Sequence, residues 1–137
     1  MSVWGLDSAA LFLALSPESA PVVPARLFLR SGFLCFNRIA NAVGIHVPDE
    51  PDPNGQISLT YQEFLDAVER MRRVDFPIER DPVDAWPDFV GWRLNYEQPA
   101  YSLAGRLDVA PALWSGPRRT GDPPVPPIRP QQAYPPK

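Results

Sequence analysis

The sequence predicts an all-α fold: a small, irregular bundle of about four helices, followed by an extended arm and a proline-rich disordered tail. Apolar residues recur at helical spacing in several segments, helix-capping residues precede two of them, and prolines cluster between the segments and after them. The predicted helices span 8–15, 24–43, 61–73 and 82–107. They form one domain over residues 1–116, and the tail occupies residues 117–137.

The first predicted helix is a short apolar run ending at Leu15, with Asp7 or Ser8 as its cap. It is too short to cross a bilayer, since a transmembrane helix needs about 20 apolar residues. No lysine or arginine precedes it, which argues against a signal peptide. We therefore predict a buried helix.

The second predicted helix begins at Pro24 and ends before Gly44. Two adjacent apolar stripes predict that it is buried on much of its circumference. One stripe contains Phe28, Cys35, Ile39 and Ala42, and the other contains Leu29, Phe33, Phe36, Ala40 and Val43. Gly32 lies inside the helix, which indicates a close helix contact or a tolerated weakness.

The third predicted helix follows a capping box, in which Thr60 and Glu63 satisfy each other's backbone N–H groups. Its inward stripe includes Phe64 and Val68. The predicted core of the whole domain comprises Leu11, Phe28, Phe36, Ile39, Phe64, Val68, Phe89, Trp92 and Tyr96.

The fourth predicted helix carries much of the aromatic area of the chain. Asp81 can cap it, and Pro82 suits its first position. An aromatic stripe at helical spacing is typical of a core helix, and each ring can bury about 150–250 Å². The alternative is an aromatic binding groove, and its candidate residues are Trp86, Trp92, Tyr96 and Tyr101.

Two prolines fall inside this fourth segment, and each removes an intrahelical hydrogen bond at a cost of about 3 kcal/mol. We expect a kink or break at Pro99, and an irregular first turn or a restart at Pro87.

The charge balance argues against nucleic acid as a partner, because the net charge is -3 and the pI is about 5.1. With one histidine and one cysteine, the chain offers no nucleophile–base pair and no cysteine-based zinc site. We predict no catalytic residue and no cofactor. An enzyme that uses the helix-borne carboxylates Asp84, Asp88 and Glu97 is the alternative.

Residues 50–58 resemble part of an EF-hand loop, with oxygen-bearing side chains at alternate positions around Gly55. The pattern then fails, because Tyr61 stands where the bidentate glutamate belongs and Pro53 stiffens the loop. We predict no metal site here. His46, beside this loop, is expected to be a solvated residue.

The tail contains a Pro-x-x-Pro-x-Arg pattern formed by Pro124, Pro127 and Arg129. Such a motif can bind an aromatic groove as a polyproline helix, which makes a tail-mediated ligand a further alternative to an inert tail.

Residues 76–82, 85–96 and 113–119 resemble the soluble C-terminal region of uncharacterised membrane proteins of high-GC bacteria, some of which look like small ion channels. The resemblance covers about residues 10–119 and rests on the run Trp-x-x-Phe-x-Gly-Trp-Arg-x-Asn-Tyr from Trp86 to Tyr96. This chain differs in having no membrane-spanning segment. The resemblance implies a module at the cytosolic face of a membrane, attached to or related to a membrane protein.

The functional hypothesis is a cytoplasmic, non-catalytic helical module for interaction or regulation. Two wide apolar faces, on 24–43 and 82–107, meet only two short helices and an arm, so part of their surface should stay uncovered. We expect a protein partner or weak self-association there, through residues such as Leu29, Phe33 or Tyr101.

Overall fold

The computed structural model describes residues 3–48 and 50–107. These residues form four helices and no strand, which confirms the all-α prediction: α1 (Val3–Leu15), α2 (Val22–Ala42), α3 (Tyr61–Arg72) and α4 (Pro82–Arg106). None of these helices combines the length and the apolar character that crossing a membrane requires. The predicted arm, the proline-rich tail and the boundary at residue 117 lie outside the described residues.

Helix α4 is central, because it packs against each of the other three helices. Helices α1 and α2 form a hairpin whose members also contact each other. Helix α3 packs on the first half of α4 through an aromatic cluster, in which the ring of Phe64 lies 5.1 Å from that of Trp86 and 5.2 Å from that of Phe89. Most buried apolar side chains of the four helices belong to one core.

The predicted helix starts of α3 and α4 are confirmed. Thr60 Oγ1 accepts a hydrogen bond from Glu63 N at 2.9 Å, and Glu63 Oε2 accepts one from Thr60 N at 2.7 Å. At the start of α4, Asp81 Oδ1 accepts a hydrogen bond from Val83 N at 3.1 Å, and Pro82 occupies the first turn. These local interactions depend only on neighbouring residues, so the sequence is sufficient to predict them.

Helix α1 begins at Val3 rather than at residue 8. The sequence predicted Asp7 or Ser8 as its cap, but Asp7 lies inside the helix with its carboxylate buried against α4. Helix α2 begins at Val22, so Pro24 falls within its first turn. Backbone N–H groups in a first turn have no acceptor within the helix, so the N–H that proline lacks is not needed there.

Helix α4 runs without interruption through both internal prolines. The expected alternatives of a restart at Pro87 and a break at Pro99 are therefore wrong. Pro99 is fully buried, and the aromatic and aliphatic side chains on both sides of it pack into the bundle. Their burial outweighs the roughly 3 kcal/mol that an internal proline costs.

The predicted core is correct for Phe64, Val68, Phe89 and Tyr96, and Leu11, Phe36 and Trp92 are half-buried against it. It is wrong for Phe28, which is 36% exposed, and for Ile39, which is 45% exposed. Of the two apolar stripes on α2, the one with Leu29 and Ala40 faces the bundle. The one with Phe28 and Ile39 lies at the edge of the bundle, where the Phe28 ring packs against Gly5 of α1. Cys35, expected to be buried, is half-buried.

Residues 76–80 bind the C-terminal end of α1. The backbone N–H groups of Glu79 and Arg80 donate to Leu15 O at 3.0 and 3.1 Å. The guanidinium of Arg80 donates to Ala14 O at 3.1 Å and pairs with Asp88 at 2.5 Å. A cation at a helix C-terminus offsets the partial negative charge of its free carbonyls, so Arg80 connects the end of α1 with the first turns of α4.

Gly32 makes the close helix contact that the sequence left open. A Cβ atom at this position would lie 2.5 Å from Leu6 Cδ2 of α1, which is too short for two carbon atoms. Because Leu6 is fully buried, its side chain has little room to move. The absence of a side chain at residue 32 therefore lets α1 and α2 approach each other.

We predict that Gly32→Ala lowers the free energy of unfolding by about 1–3 kcal/mol, because overpacking outweighs the gain in helix propensity. Gly91→Ala is the matched control: it also lies within a helix, but nothing lies within 4 Å of its Cβ position. It should raise the free energy of unfolding by about 0.5–1 kcal/mol. Urea unfolding measures both values, and equal effects would contradict the close contact.

Candidate functional site

A buried charged network lies between α1 and α4. Arg93 of α4 is fully buried. Its Nε donates to Glu97 Oε1 at 2.9 Å, one turn further along the same helix. Its Nη1 lies 3.5 Å from Oδ1 of Asp7, a charged residue of the otherwise apolar α1. The guanidinium therefore joins two buried carboxylates from different helices.

Three hydroxyl groups complete this network. Tyr96 donates to Asp7 Oδ1 at 2.6 Å, and Ser58 Oγ donates to Glu97 Oε1 at 2.6 Å. The hydroxyl of Tyr101 lies 3.0 Å from Ser58 Oγ and 3.4 Å from Arg93 Nη2. Ser58 N also donates to Glu97 Oε2 at 2.9 Å, so the network fixes the loop before α3 as well as the two helices.

The network fixes the protonation states of two of its members. Burial alone would lower the pKa of the Arg93 guanidinium, but the Asp7 and Glu97 carboxylates outweigh burial and raise it, so Arg93 stays charged. Burial, reinforced by the charge of Asp7, raises the pKa of Tyr96 well above its ordinary value of 10.0, so Tyr96 stays neutral. Such a set fixes the packing of helices rather than exchanging protons with solvent.

The four candidate binding residues do not lie together on one exposed groove. Trp86 and Tyr96 are buried, Trp86 in the aromatic cluster and Tyr96 in the charged network. Tyr101 is half-buried beside Ser58, and Trp92 is half-buried with the guanidinium of Arg26 over its ring at 5.9 Å. The core-helix interpretation holds for Trp86 and Tyr96, and a binding role for the four residues stays a prediction.

The three carboxylates of the enzyme alternative occupy different surroundings. Asp88 pairs with Arg80, and Glu97 is held by Arg93 and Ser58. Asp84 is exposed in the first turn of α4, where an acid stabilises the helix dipole. Each position has a structural role.

The loop at residues 50–58 uses its side chains for internal contacts. Asp52 Oδ1 accepts a hydrogen bond from Asn54 N at 2.9 Å, and Ser58 belongs to the charged network. His46 is exposed. Over residues 3–48 and 50–107, no group of three or more histidine, cysteine or acidic side chains could hold a metal ion.

The surface with the clearest binding character is the side of α2 that points away from the bundle. Two rows of apolar side chains are exposed there. One row contains Val23, Leu27 and Leu34, which are 68%, 60% and 43% exposed, and the other contains Phe28 and Ile39. Phe28 is the least exposed of these residues, because its ring also lies against Gly5 of α1. Together with the exposed arginines Arg26, Arg30 and Arg38, of which Arg26 also reaches the Trp92 ring of α4, we call these residues the α2 outer face.

The α2 outer face is positively charged although the chain is acidic. Residues 22–42 contain three arginines and neither aspartate nor glutamate, whereas the rest of residues 1–107 contains fourteen acidic and six basic residues. The apolar pattern of residues 24–43 predicts an uncovered surface on this helix, but it does not predict the positive charge of that surface. The absence of acids over 21 residues of an acidic chain was the available signal.

Comparison of the chain with protein-family models, with curated proteins and with solved structures finds no match.

The raised pKa of Tyr96 predicts a loss of stability at alkaline pH. Above pH 10, the unfolded chain releases the Tyr96 proton while the folded chain retains it, so the free energy of unfolding falls by up to about 1.4 kcal/mol per pH unit. Below that pH, this contribution is constant. The chain suits the test, because its single lysine is Lys137.

Urea unfolding between pH 8 and 11 measures this slope, and Tyr96→Phe is the control. The variant should be less stable at neutral pH and should lose the part of the alkaline slope due to this phenol. The same slope in both proteins would show that Tyr96 titrates normally.

Proposed function

We propose that this chain is a non-catalytic helical interaction module that docks on a partner through the α2 outer face. The observation that carries the proposal is the exposure of two rows of large apolar side chains on one helix. The opposite side of that helix already packs into the bundle through Leu29, Gly32 and Ala40. The row with Val23, Leu27 and Leu34 is therefore not required to hold α2 in place, whereas Phe28 of the other row also lies against Gly5 of α1.

The energetics of exposure support a docking role. Complete burial of a fully exposed large aliphatic or aromatic side chain yields about 1.5–3 kcal/mol. These side chains are 36–68% exposed, so covering each of them would provide part of that free energy. Contiguous exposed apolar surface is typical of interaction sites. The sequence predicted binding through Leu29, but Leu29 is buried. In this proposal, its exposed neighbours Leu27 and Phe28 bind the partner instead.

The chemistry of the charged groups supports a non-catalytic role. The buried arginine and its two carboxylates connect α1, α4 and the loop before α3, and Asp88 pairs with Arg80. These groups are thus used in holding the bundle together. The polyproline alternative concerns Pro124, Pro127 and Arg129, which lie outside the described residues.

The resemblance to the cytosolic regions of bacterial membrane proteins extends this proposal to cellular location. It favours a module that works in the cytoplasm at the inner face of a membrane, beside or attached to a membrane protein. In this proposal, the α2 outer face points toward the partner.

Site-specific photo-cross-linking in cells that express the full chain tests the docking face. A photoreactive amino acid at Leu34 should form an adduct with protein, with lipid or with a second copy of the chain. The same amino acid at Gln62, an exposed position of α3, is the control and should give far less adduct. Equal yields at the two positions, or none at Leu34, would contradict the proposal.

A further inference from the structure

We infer that the partner of the α2 outer face is an anionic lipid bilayer, on whose surface α2 lies parallel to the membrane plane. This inference rests on the proposed function, because it names the partner of the same docking face. Three features of the α2 outer face support it: its charge, the arrangement of its apolar rows, and the reach of its arginine side chains.

The charge of α2 makes it the side of the molecule that an anionic surface attracts. Arg26, Arg30 and Arg38 are exposed, and no carboxylate on α2 neutralises them. The acidic residues lie on other parts of the chain, and their repulsion from the bilayer is screened beyond about 8–10 Å at physiological salt. An approaching domain is thus oriented with α2 toward the lipid. Each arginine near an anionic surface strengthens binding about fivefold.

The two apolar rows fit a bilayer better than a single docked helix. Val23, Leu27 and Leu34 form one row, and Phe28 and Ile39 form another about a third of the way around the helix, where Phe28 also borders Gly5 of α1. A docked partner helix covers one such row. A bilayer interface that admits an amphipathic helix to a depth of about 5–10 Å covers half or more of a helix about 10 Å wide, and therefore both rows.

The arginines can bind phosphate while the apolar rows are immersed. An arginine side chain has a long aliphatic stem, which can lie along Leu27 and Leu34 while the guanidinium stays among the headgroups. There it can donate two hydrogen bonds to a phosphate group. The α2 outer face thus supplies both components of interfacial binding, apolar area and attraction to anionic headgroups.

Self-association through α2 is disfavoured by the same charges. Two copies paired through their α2 outer faces would bring six arginines into one interface, and neither helix has a carboxylate to offset them. Like charges at close range lower affinity rather than raise it. The charge therefore does not favour a second copy of the chain as the partner of the α2 outer face. The cross-linking experiment at Leu34 would detect such a copy.

Co-sedimentation of the full chain with vesicles tests the inference. Vesicles of phosphatidylcholine with 30% phosphatidylglycerol should bind the protein, vesicles of phosphatidylcholine alone should bind it at least tenfold more weakly, and binding to the anionic vesicles should fall as salt rises. Failure to bind anionic vesicles at low salt would overturn the assignment.

Matched charge variants locate the binding surface. The triple variant Arg26→Gln, Arg30→Gln and Arg38→Gln should weaken binding to anionic vesicles about a hundredfold. The control removes three exposed arginines of the α3 region, through Arg70→Gln, Arg72→Gln and Arg73→Gln, and should change binding less than threefold. Equal losses in the two variants would show that binding depends on overall charge and not on α2.

Apolar variants test whether the helix enters the interface. Leu27→Ser with Leu34→Ser should weaken vesicle binding at least tenfold and lower the urea midpoint only slightly, because both side chains are exposed and serine is only a somewhat poorer helix former than leucine. Unchanged vesicle binding would contradict immersion of the helix.

A designed peptide distinguishes this inference from the proposed function on which it rests. The probe is a 20-residue amphipathic helix with glutamates beside its apolar face. If it binds and anionic vesicles do not, the bilayer assignment is wrong and the docking proposal stands. If neither binds and Leu34 gives no cross-link, both are wrong.

Discussion

The fold depends on one requirement: the buried guanidinium of Arg93 must be neutralised inside the domain. Its partners come from separate parts of the chain, Glu97 from the next turn of α4 and Asp7 from α1. The buried carboxylate of Asp7 would cost several kcal/mol without a partner, so α1 can pack only where Asp7 reaches the guanidinium and the hydroxyl of Tyr96. The network thereby sets the position of an otherwise apolar helix that could slide.

The placement of α1 determines which side of α2 is left outward. The side chain of Leu6, one residue before Asp7, occupies the space above Gly32, so this contact and the Asp7 pairing fix the α1–α2 hairpin together. Leu29 and Ala40 of α2 then face inward. The rows with Leu27 and Phe28 remain on the surface, so the proposed docking face follows from the packing of the core.

Local interactions were predictable from the sequence and long-range ones were not. The Thr60–Glu63 capping box and the Asp81 cap involve neighbouring residues, and the spacing of the aromatic residues is sufficient to predict α4. The sequence predicts Asp7 as a possible cap, because nothing in it shows that Arg93 lies opposite this residue. Which of the two stripes of α2 is buried depends on where α1 and α4 pack. The prediction that Ile39 lies in the core was wrong for this reason.

The most direct test of this account is a double-mutant cycle between Asp7 and Arg93, with Asp7→Asn, Arg93→Met and the double variant measured by urea unfolding. Arg93→Met alone should cost about 3–5 kcal/mol, because two buried carboxylates lose their cation. The account predicts a coupling free energy of about 1.5–3 kcal/mol between the two positions. Effects that add to within about 0.5 kcal/mol would contradict it, since the Asp7–Arg93 pairing would then contribute nothing to holding α1 in place.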